Sequence, residues 1–239
     1  MRALEQRLIE DFYKPLYFNK LSSAEQRQGN RFLITPCPEK VEIVFLNDNP
    51  GPFLGNEVPN KASMPEECPF WFEEDWGKSN GKRECFRRAI YLISRKSREK
   101  GWTYSRQFYD LKNEISNIPA GYVLGAYAIP LRTESEKDLT DRVENLSRCL
   151  WTEIFNKVLK PKNIFATGKK PYDMICDIFG VRKEKDVSVS SGWGSVKFQY
   201  RDAGGTKIIF LPQMTRFRLF CSEKENIVAA IDDLMDRVF

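Results

Sequence analysis

The sequence predicts an α/β protein, a three-layer αβα sandwich around a mainly parallel central sheet. The first observation is that short apolar, β-branched segments alternate with longer segments of helical periodicity. The second is that each apolar segment ends at Pro, Gly or Asn. Strands separated by helices form parallel sheets that are covered on both faces, so these patterns favour the layered arrangement.

The N-terminal third contains the first core strand and a long loop. Residues 1–40 are predicted to form a helical extension, with one helix over about residues 4–17 and a second after a capping box at Ser22-Ser23-Ala24-Glu25. Residues 41–46 predict a buried strand. Residues 52–81 are rich in Pro, Gly, Asn and aromatics, and such a long irregular stretch usually has a function. A basic helix is predicted over residues 83–98.

The remainder of the chain predicts three further core strands, each followed by a loop or helix. Two of the breaks are Gly168 and Pro212, and the final helix is predicted to be capped by Ser222 and Glu225. No repeat or linker interrupts the pattern, so one domain over residues 1–239 is expected. The predicted strands cover residues 122–129, 163–167 and 207–211, the helices begin near residues 139 and 169, and a hairpin covers residues 187–200.

Composition restricts the chemistry and the compartment. The 239 residues include no histidine, which excludes Ser-His-Asp hydrolysis and His-ligated metals. Six cysteines lie far apart without a C-x-x-C pair, so reduced thiols and no metal or cofactor are expected. No apolar run reaches the ~18 residues of a membrane span, and the start lacks a secretory pattern. We therefore expect a cytoplasmic, monomeric protein with no membrane partner.

The candidate site lies where core strands end. In open α/β sheets, ligands bind beyond the carboxyl ends of the strands, which here predicts the loops over residues 47–53, 168–171 and 212–218. Neither GxxxxGK[ST] nor GxGxxG occurs, which argues against P-loop and Rossmann enzymes. The most informative loop carries the motif Asn49-Pro50-Gly51-Pro52-Phe53 directly after Asp48.

This motif resembles the first active-site motif of the uracil-DNA glycosylase superfamily, especially its single-strand-selective monofunctional branch. The order of the later elements agrees, and the resemblance covers roughly residues 41–220. It implies a uracil-DNA-glycosylase-like fold, DNA as the partner, and hydrolysis of the N-glycosidic bond of a flipped base. Some branches carry an iron–sulfur cluster, but the N-terminal C-x-x-C that would accompany Cys68 and Cys85 is absent.

The resemblance also assigns roles to individual residues. The predicted catalytic residues are Asp48, which activates water and favours the sugar cation, and Asn49, which holds the water. The predicted base pocket comprises Pro50, Gly51, Phe53, Asn60, Tyr127 and Gln213. The predicted DNA-binding residues are Lys169, Lys170, Thr215, Arg216, Phe217 and Arg218, with Arg216 or Phe217 as the wedge.

Structural interpretations compete with several of these roles. Asp48 and Asn49 could simply form an Asx turn before Pro50. Phe217, with its neighbours Leu219 and Phe220, could be a core residue. The basic residues between positions 82 and 98 could contact phosphate or form a solvated helix face, and the aromatics between positions 70 and 76 could stack a base or pin the loop.

The base specificity is expected to differ from that of uracil-specific relatives. Those relatives read the base with an Asn on the second strand, where this chain has Tyr127 and Ala128, and with a histidine, where it has Gln213. A bulky modified cytosine, such as glucosylated hydroxymethylcytosine in phage DNA, is therefore the predicted substrate, which implies antiviral defence. The alternatives are repair of uracil or damaged pyrimidines, an inactive reader of flipped bases or abasic DNA, and a small-molecule hydrolase.

Overall fold

A six-stranded, mostly parallel sheet forms the centre of the fold. The computed structural model describes residues 3–35, 37–51, 60–61, 82–99, 122–133, 139–182, 186–213, 217, 219–220 and 224–239, with only the backbone at 60–61 and 82–88. The six strands are β2 (Ile43–Asn47), β4 (Val123–Tyr127), β5 (Asn163–Thr167), β6 (Val187–Ser190), β7 (Lys197–Asp202) and β8 (Lys207–Leu211). The strand order is β4-β2-β5-β8-β7-β6, in which the first four strands are parallel and the last two antiparallel.

Helices connect these strands. The parallel strands are followed by helices, as the alternating pattern requires, and the N-terminal segment begins with α-helical turns on either side of a π-helical stretch, Leu8–Tyr13. The helices are α1 (Ala3–Arg7), α2 (Lys14–Leu16), α3 (Ser23–Gln28), α4 (Lys82–Lys96), α5 (Asp141–Lys157), α6 (Lys169–Ile178) and α7 (Glu225–Val238). A second, two-stranded parallel pair joins β1 (Asn30–Arg31) to β3 (Asn60–Lys61).

Two buried clusters cover opposite faces of the sheet. Along β2, Ile43 and Phe45 belong to the cluster that contains the buried residues of α4 and α7. Val44 and Leu46 belong to the cluster that contains the buried residues of α5 and α6. This alternation follows from the period of two in a strand. The fold is therefore α/β and compatible with the predicted three layers.

The N-terminal segment covers the β4 edge of the sheet. Ile34 donates its backbone N–H to Gly125 at 2.8 Å, and Tyr127 donates to Phe32 at 2.9 Å. Gly125 has no room for a side chain, because a Cβ there would lie 2.8 Å from the Thr35 methyl carbon. Pairing removes the unsatisfied backbone groups of an edge strand. The segment outside the family resemblance is thus part of the sheet architecture.

Most predicted elements are confirmed, several with bounds that differ by one or two residues, and the start of the final helix differs in its capping. The strands over 163–167 and 207–211 and the Ser22–Glu25 capping box occur as predicted. The final helix begins at Glu225, with Lys224 as an N-cap that makes no side-chain capping bond, so the capping box predicted to start at Ser222 is not the helix start. Ser222 itself lies outside the described residues. Among the described helices, none combines the length and apolarity needed to cross a membrane.

Candidate functional site

The boundary between β2 and β5 is the point where the sheet changes its winding direction. β2 precedes α4, whose buried residues lie on one face of the sheet, whereas the adjacent β5 leads into α6 on the other face. The loops that leave neighbouring strands for opposite faces separate and open a crevice, which is where open α/β sheets bind ligands. Asp48 and Asn49 directly follow β2 at this edge.

A buried hydroxyl joins the ends of these two strands. Thr167, the last residue of β5 and only 4% exposed, donates its hydroxyl to the Asn47 carboxamide oxygen at 2.6 Å. The Leu46 carbonyl lies 3.3 Å from the same Thr167 Oγ1. Residues 47 and 167 share a sheet face because both lie two positions beyond buried phenylalanines of one cluster. The network fixes the point where the candidate loop leaves β2.

The first part of the candidate loop remains in register with the chain after β4. Ala128 donates its backbone N–H to the Asn47 carbonyl at 2.7 Å, and Ile129 donates to the Asp48 carbonyl at 2.9 Å. These bonds hold the backbone of the predicted catalytic pair. Asp48 is half-buried, and its carboxylate oxygen Oδ1 is shielded from solvent.

Asn49 has a defined side-chain orientation. Its amide nitrogen donates to the hydroxyl of Thr133 at 2.5 Å, and Thr133 is 3% exposed. This bond fixes the orientation of the carboxamide, whose oxygen can accept a hydrogen bond from a water. This arrangement is more specific than a local Asx turn, since the partner is 84 positions away in the sequence. Sequence reasoning did not identify Thr133.

The remaining members of the predicted pocket are only partly described. Pro50, Gly51 and Tyr127 are half-buried, and Gly51 has a φ of +71° with open space where a Cβ would be. Tyr127 ends β4 directly opposite Asn47 and packs partly against the core. Asn60 belongs to β3, but its side chain, like all of Phe53, lies outside the described residues.

The two predicted lysines differ in their surroundings. Gly168, with a φ of +91°, is the N-cap of α6 and provides no side-chain cap. Lys169 is exposed at this helix start, where the backbone N–H groups and the helix dipole favour an anion. Lys170 instead pairs with Glu144 at 2.5 Å. Lys169 is therefore the stronger candidate for a phosphate contact.

The segment after β8 combines an exposed amide with core residues. Gln213 is exposed, and its carbonyl accepts the Phe217 backbone N–H at 3.2 Å. Phe217 is half-buried and packs against the core, and both Leu219 and Phe220 are 0% exposed. The structural interpretation is thus confirmed for Leu219 and Phe220, and the core contact makes Phe217 a poor wedge. The predicted residues Thr215, Arg216 and Arg218 lie outside the described residues.

Lys96 and Arg98, at the end of the basic cluster, lie at the opposite edge of the sheet. A cleft of about 600 Å³ there is lined by the first residues of β2, β5 and β8 and by Lys96 and Arg98. Lys96 pairs with Asp236, and the Arg98 guanidinium lies 5.2 Å from the centre of the Tyr122 ring. Both basic side chains therefore have structural roles, and neither adjoins the candidate loop.

An ionic cluster joins α6 to β7. Arg201 is 2% exposed, pairs with Asp186 and donates to the Tyr172 hydroxyl at 3.0 Å. Burial raises the pKa of the Tyr172 phenol well above its usual range and that of the Cys176 thiol to about 11. Neither group ionises near neutral pH, which indicates a structural role. The described residues contain no group of His, Cys, Asp and Glu suited to a metal.

No protein-family model matches the chain, and no curated protein is significantly similar to it. The chemistry of the carboxyl edge therefore has to be inferred from its own residues.

Proposed function

We propose that the chain is a monofunctional DNA glycosylase that hydrolyses the N-glycosidic bond of a flipped pyrimidine and leaves an abasic site. The observation that carries the proposal is the position of Asp48 and Asn49, which directly follow β2 where the sheet reverses its winding, the place where open α/β sheets form a ligand crevice. A carboxylate and an oriented carboxamide at such a crevice match hydrolysis without histidine, and the chain has none.

The reaction requires stabilisation of a positively charged sugar and placement of one water. As the bond between C1′ and the base nitrogen breaks, the base leaves with the bonding electrons and the sugar becomes oxocarbenium-like. The Asp48 carboxylate, one oxygen of which is shielded from solvent, favours that cation more strongly than a solvated carboxylate would. The Asn49 carboxamide oxygen accepts a hydrogen bond from the water whose oxygen then bonds to C1′. Asp48 receives the water proton.

We propose a bulky modified cytosine, such as its glucosylated hydroxymethyl form, as the preferred base. Two residues at this edge support the proposal. Tyr127 ends β4 with a phenol at the position where uracil-specific relatives have an amide, and Gln213, which replaces their histidine, is exposed after β8. Loss of the asparagine and the histidine that read the uracil edge in the family that the chain resembles should weaken discrimination in favour of uracil. The biological setting that follows is defence against phage DNA.

The test measures base release directly. Duplexes with uracil, hydroxymethylcytosine, its glucoside or unmodified cytosine are incubated with the full chain, and abasic sites are cleaved with alkali. Asn49→Ala and Asp48→Asn should each lower the single-turnover rate by about 10²- to 10⁴-fold. Asn156→Ala, an exposed asparagine on α5, is the matched control and should retain the wild-type rate.

Each alternative gives a different outcome. Strand breaks with uracil alone would overturn the modified-cytosine proposal but keep the glycosylase. No base release from any duplex, with equal DNA binding by wild type and Asn49→Ala, would indicate an inactive reader. Hydrolysis of free nucleosides that DNA does not inhibit would indicate a small-molecule hydrolase.

A further inference from the structure

The turn between β6 and β7 lies at the same edge of the sheet as the candidate site. β7 is antiparallel to β8, with Gln199 opposite Phe210 and Asp202 opposite Lys207. The start of β7 therefore extends past the carboxyl end of β8, and the turn over residues 191–196 lies beside the segment that follows Pro212. Trp193 is in this turn, and sequence reasoning gave it no role.

Hydrogen bonds and close packing fix the backbone of this turn. Ser191 is 0% exposed and donates its hydroxyl to the Val196 carbonyl at 2.7 Å, while Val196 donates its N–H to the Trp193 carbonyl at 3.0 Å. The Asn226 side chain donates to the Gly192 carbonyl. A Cβ on Gly192 would meet the Asn226 carbonyl oxygen at 2.2 Å. The turn is thus held rigidly against the start of α7.

Trp193 combines with a cation and a second ring. The half-buried indole has the Lys224 ammonium 4.8 Å from its centre and the Phe217 ring edge-on at 6.3 Å. Lys224 is exposed, as is Lys197 at the far end of the turn. We refer to Trp193, Phe217 and Lys224 as the Trp193 platform.

We propose that the Trp193 platform binds DNA next to the flipped nucleotide, with a base stacked on the indole and a phosphate on Lys224. This inference rests on the proposed function. A rigid aromatic ring with lysines is the combination that binds nucleic acid strands without sequence preference. Stacking of a base on the ring is stronger than an exposed cation–π contact. Lys224 can therefore leave the ring for a phosphate when DNA binds.

The sheet geometry separates this contact from the reacting base. In strand order, β2 is followed by β5, β8, β7 and β6, and neighbouring strands lie about 4.8 Å apart. The platform spans the positions of β8 to β6, so it lies roughly 10–19 Å from the end of β2. Stacked nucleotides rise about 3.4 Å each along one strand, so this span corresponds to roughly three to six nucleotides. The platform therefore contacts flanking DNA, not the excised base.

The test measures the affinity for DNA, independently of base release. Binding of the full chain to a labelled 30-base-pair duplex with a tetrahydrofuran abasic analogue is followed by fluorescence anisotropy at several salt concentrations. Trp193→Ala should weaken binding by about five- to a hundredfold, and Trp193→Phe by less, because it keeps an aromatic face. Lys224→Gln should lower the magnitude of the slope of log K against log salt by about 0.9.

Lys157→Gln, an exposed lysine at the end of α5, is the matched control and should leave affinity and salt slope unchanged. With a duplex that extends two base pairs beyond the abasic analogue, the difference between wild type and Trp193→Ala should disappear. Should Trp193→Ala unfold, Trp193→Phe and Lys224→Gln still test the platform.

The outcomes separate this inference from the proposed function. Wild-type affinity and salt slope in Trp193→Ala and Lys224→Gln, together with measurable base release, would overturn the platform alone. Weakened binding by these variants without base release from any duplex would overturn the glycosylase and retain the platform. Failure of the wild-type chain to bind DNA would overturn both.

Discussion

Substitution of Gly192 by alanine tests how the turn between β6 and β7 is anchored. Gly192 has a φ of +73°, and a Cβ there would lie 2.2 Å from the Asn226 carbonyl oxygen and 2.7 Å from the Ile227 Cα. These neighbours are the backbone of the first turn of α7, which cannot move aside as a side-chain end could. The alanine therefore has to displace the turn, the helix start, or both.

The expected destabilisation has two parts. A left-handed backbone costs a residue with a Cβ about 1–2 kcal/mol, and overpacking against fixed atoms adds about 1–3 kcal/mol. Gly192→Ala should thus lower the free energy of unfolding by about 2–5 kcal/mol, which for a chain of this size lowers Tm by about 10 °C. Differential scanning calorimetry and urea titration measure both quantities.

Gly194→Ala is the matched control in the same turn. Gly194 also has a positive φ, +52°, but nothing lies within 4 Å of the place that a Cβ would occupy. Only the backbone strain of about 1–2 kcal/mol remains, so Tm should fall by about 4 °C. Equal destabilisation by the two alanines would refute the close packing of the turn against α7.

Three further predictions concern the candidate site, stability at alkaline pH and the reactivity of two cysteines. Thr133→Val removes the acceptor that orients the Asn49 amide. It should lower the single-turnover rate of base release about tenfold, the equivalent of one hydrogen bond. Thr133→Ser should restore the rate, and equal rates for the two variants would contradict this role. Burial raises the pKa of the Cys176 thiol from its ordinary 9.0 to about 11. It also raises the pKa of the Tyr172 phenol well above its ordinary 10.0. The stability that comes from keeping these groups protonated is complete below pH 9 and is lost as pH rises toward 11, so Tm should fall over that interval; a constant Tm would contradict the burial. At pH 8, iodoacetamide should modify the exposed Cys149 in the folded chain and reach the buried Cys176 only after unfolding.

Local sequence patterns predicted the core strands and their alternation with helices along the chain. Residues 163–167 and 207–211 are short apolar runs between Gly, Pro and charged residues, and both are strands with those bounds. Strands that are buried on both faces must be apolar through their middle residues, so the sequence alone indicates them. The start of α7 was harder to predict, because Ser222 and Glu225 have capping-box spacing but the helix begins at Glu225 itself.

Side-chain partners across the sheet could not be predicted in the same way. Lys170 has the sequence context of a phosphate ligand, yet it pairs with Glu144, which belongs to a different helix. Trp193 stands among glycines and serines with no pattern around it, and its contacts with Phe217 and Lys224 join distant parts of the chain. Such contacts depend on how strands are ordered, which local periodicity does not encode.

Burial and backbone geometry impose local patterns, and these patterns are enough to establish the α/β class and the location of Asp48 and Asn49 after a buried strand. Composition alone excludes histidine chemistry. The bond from Asn49 to Thr133, the bond between Asn47 and Thr167, and the position of the Trp193 turn at the same edge emerge only from the folded chain. Strand order and register bring together residues that are far apart in the sequence, and a hydrogen bond of about 2.5–3 Å requires that three-dimensional placement.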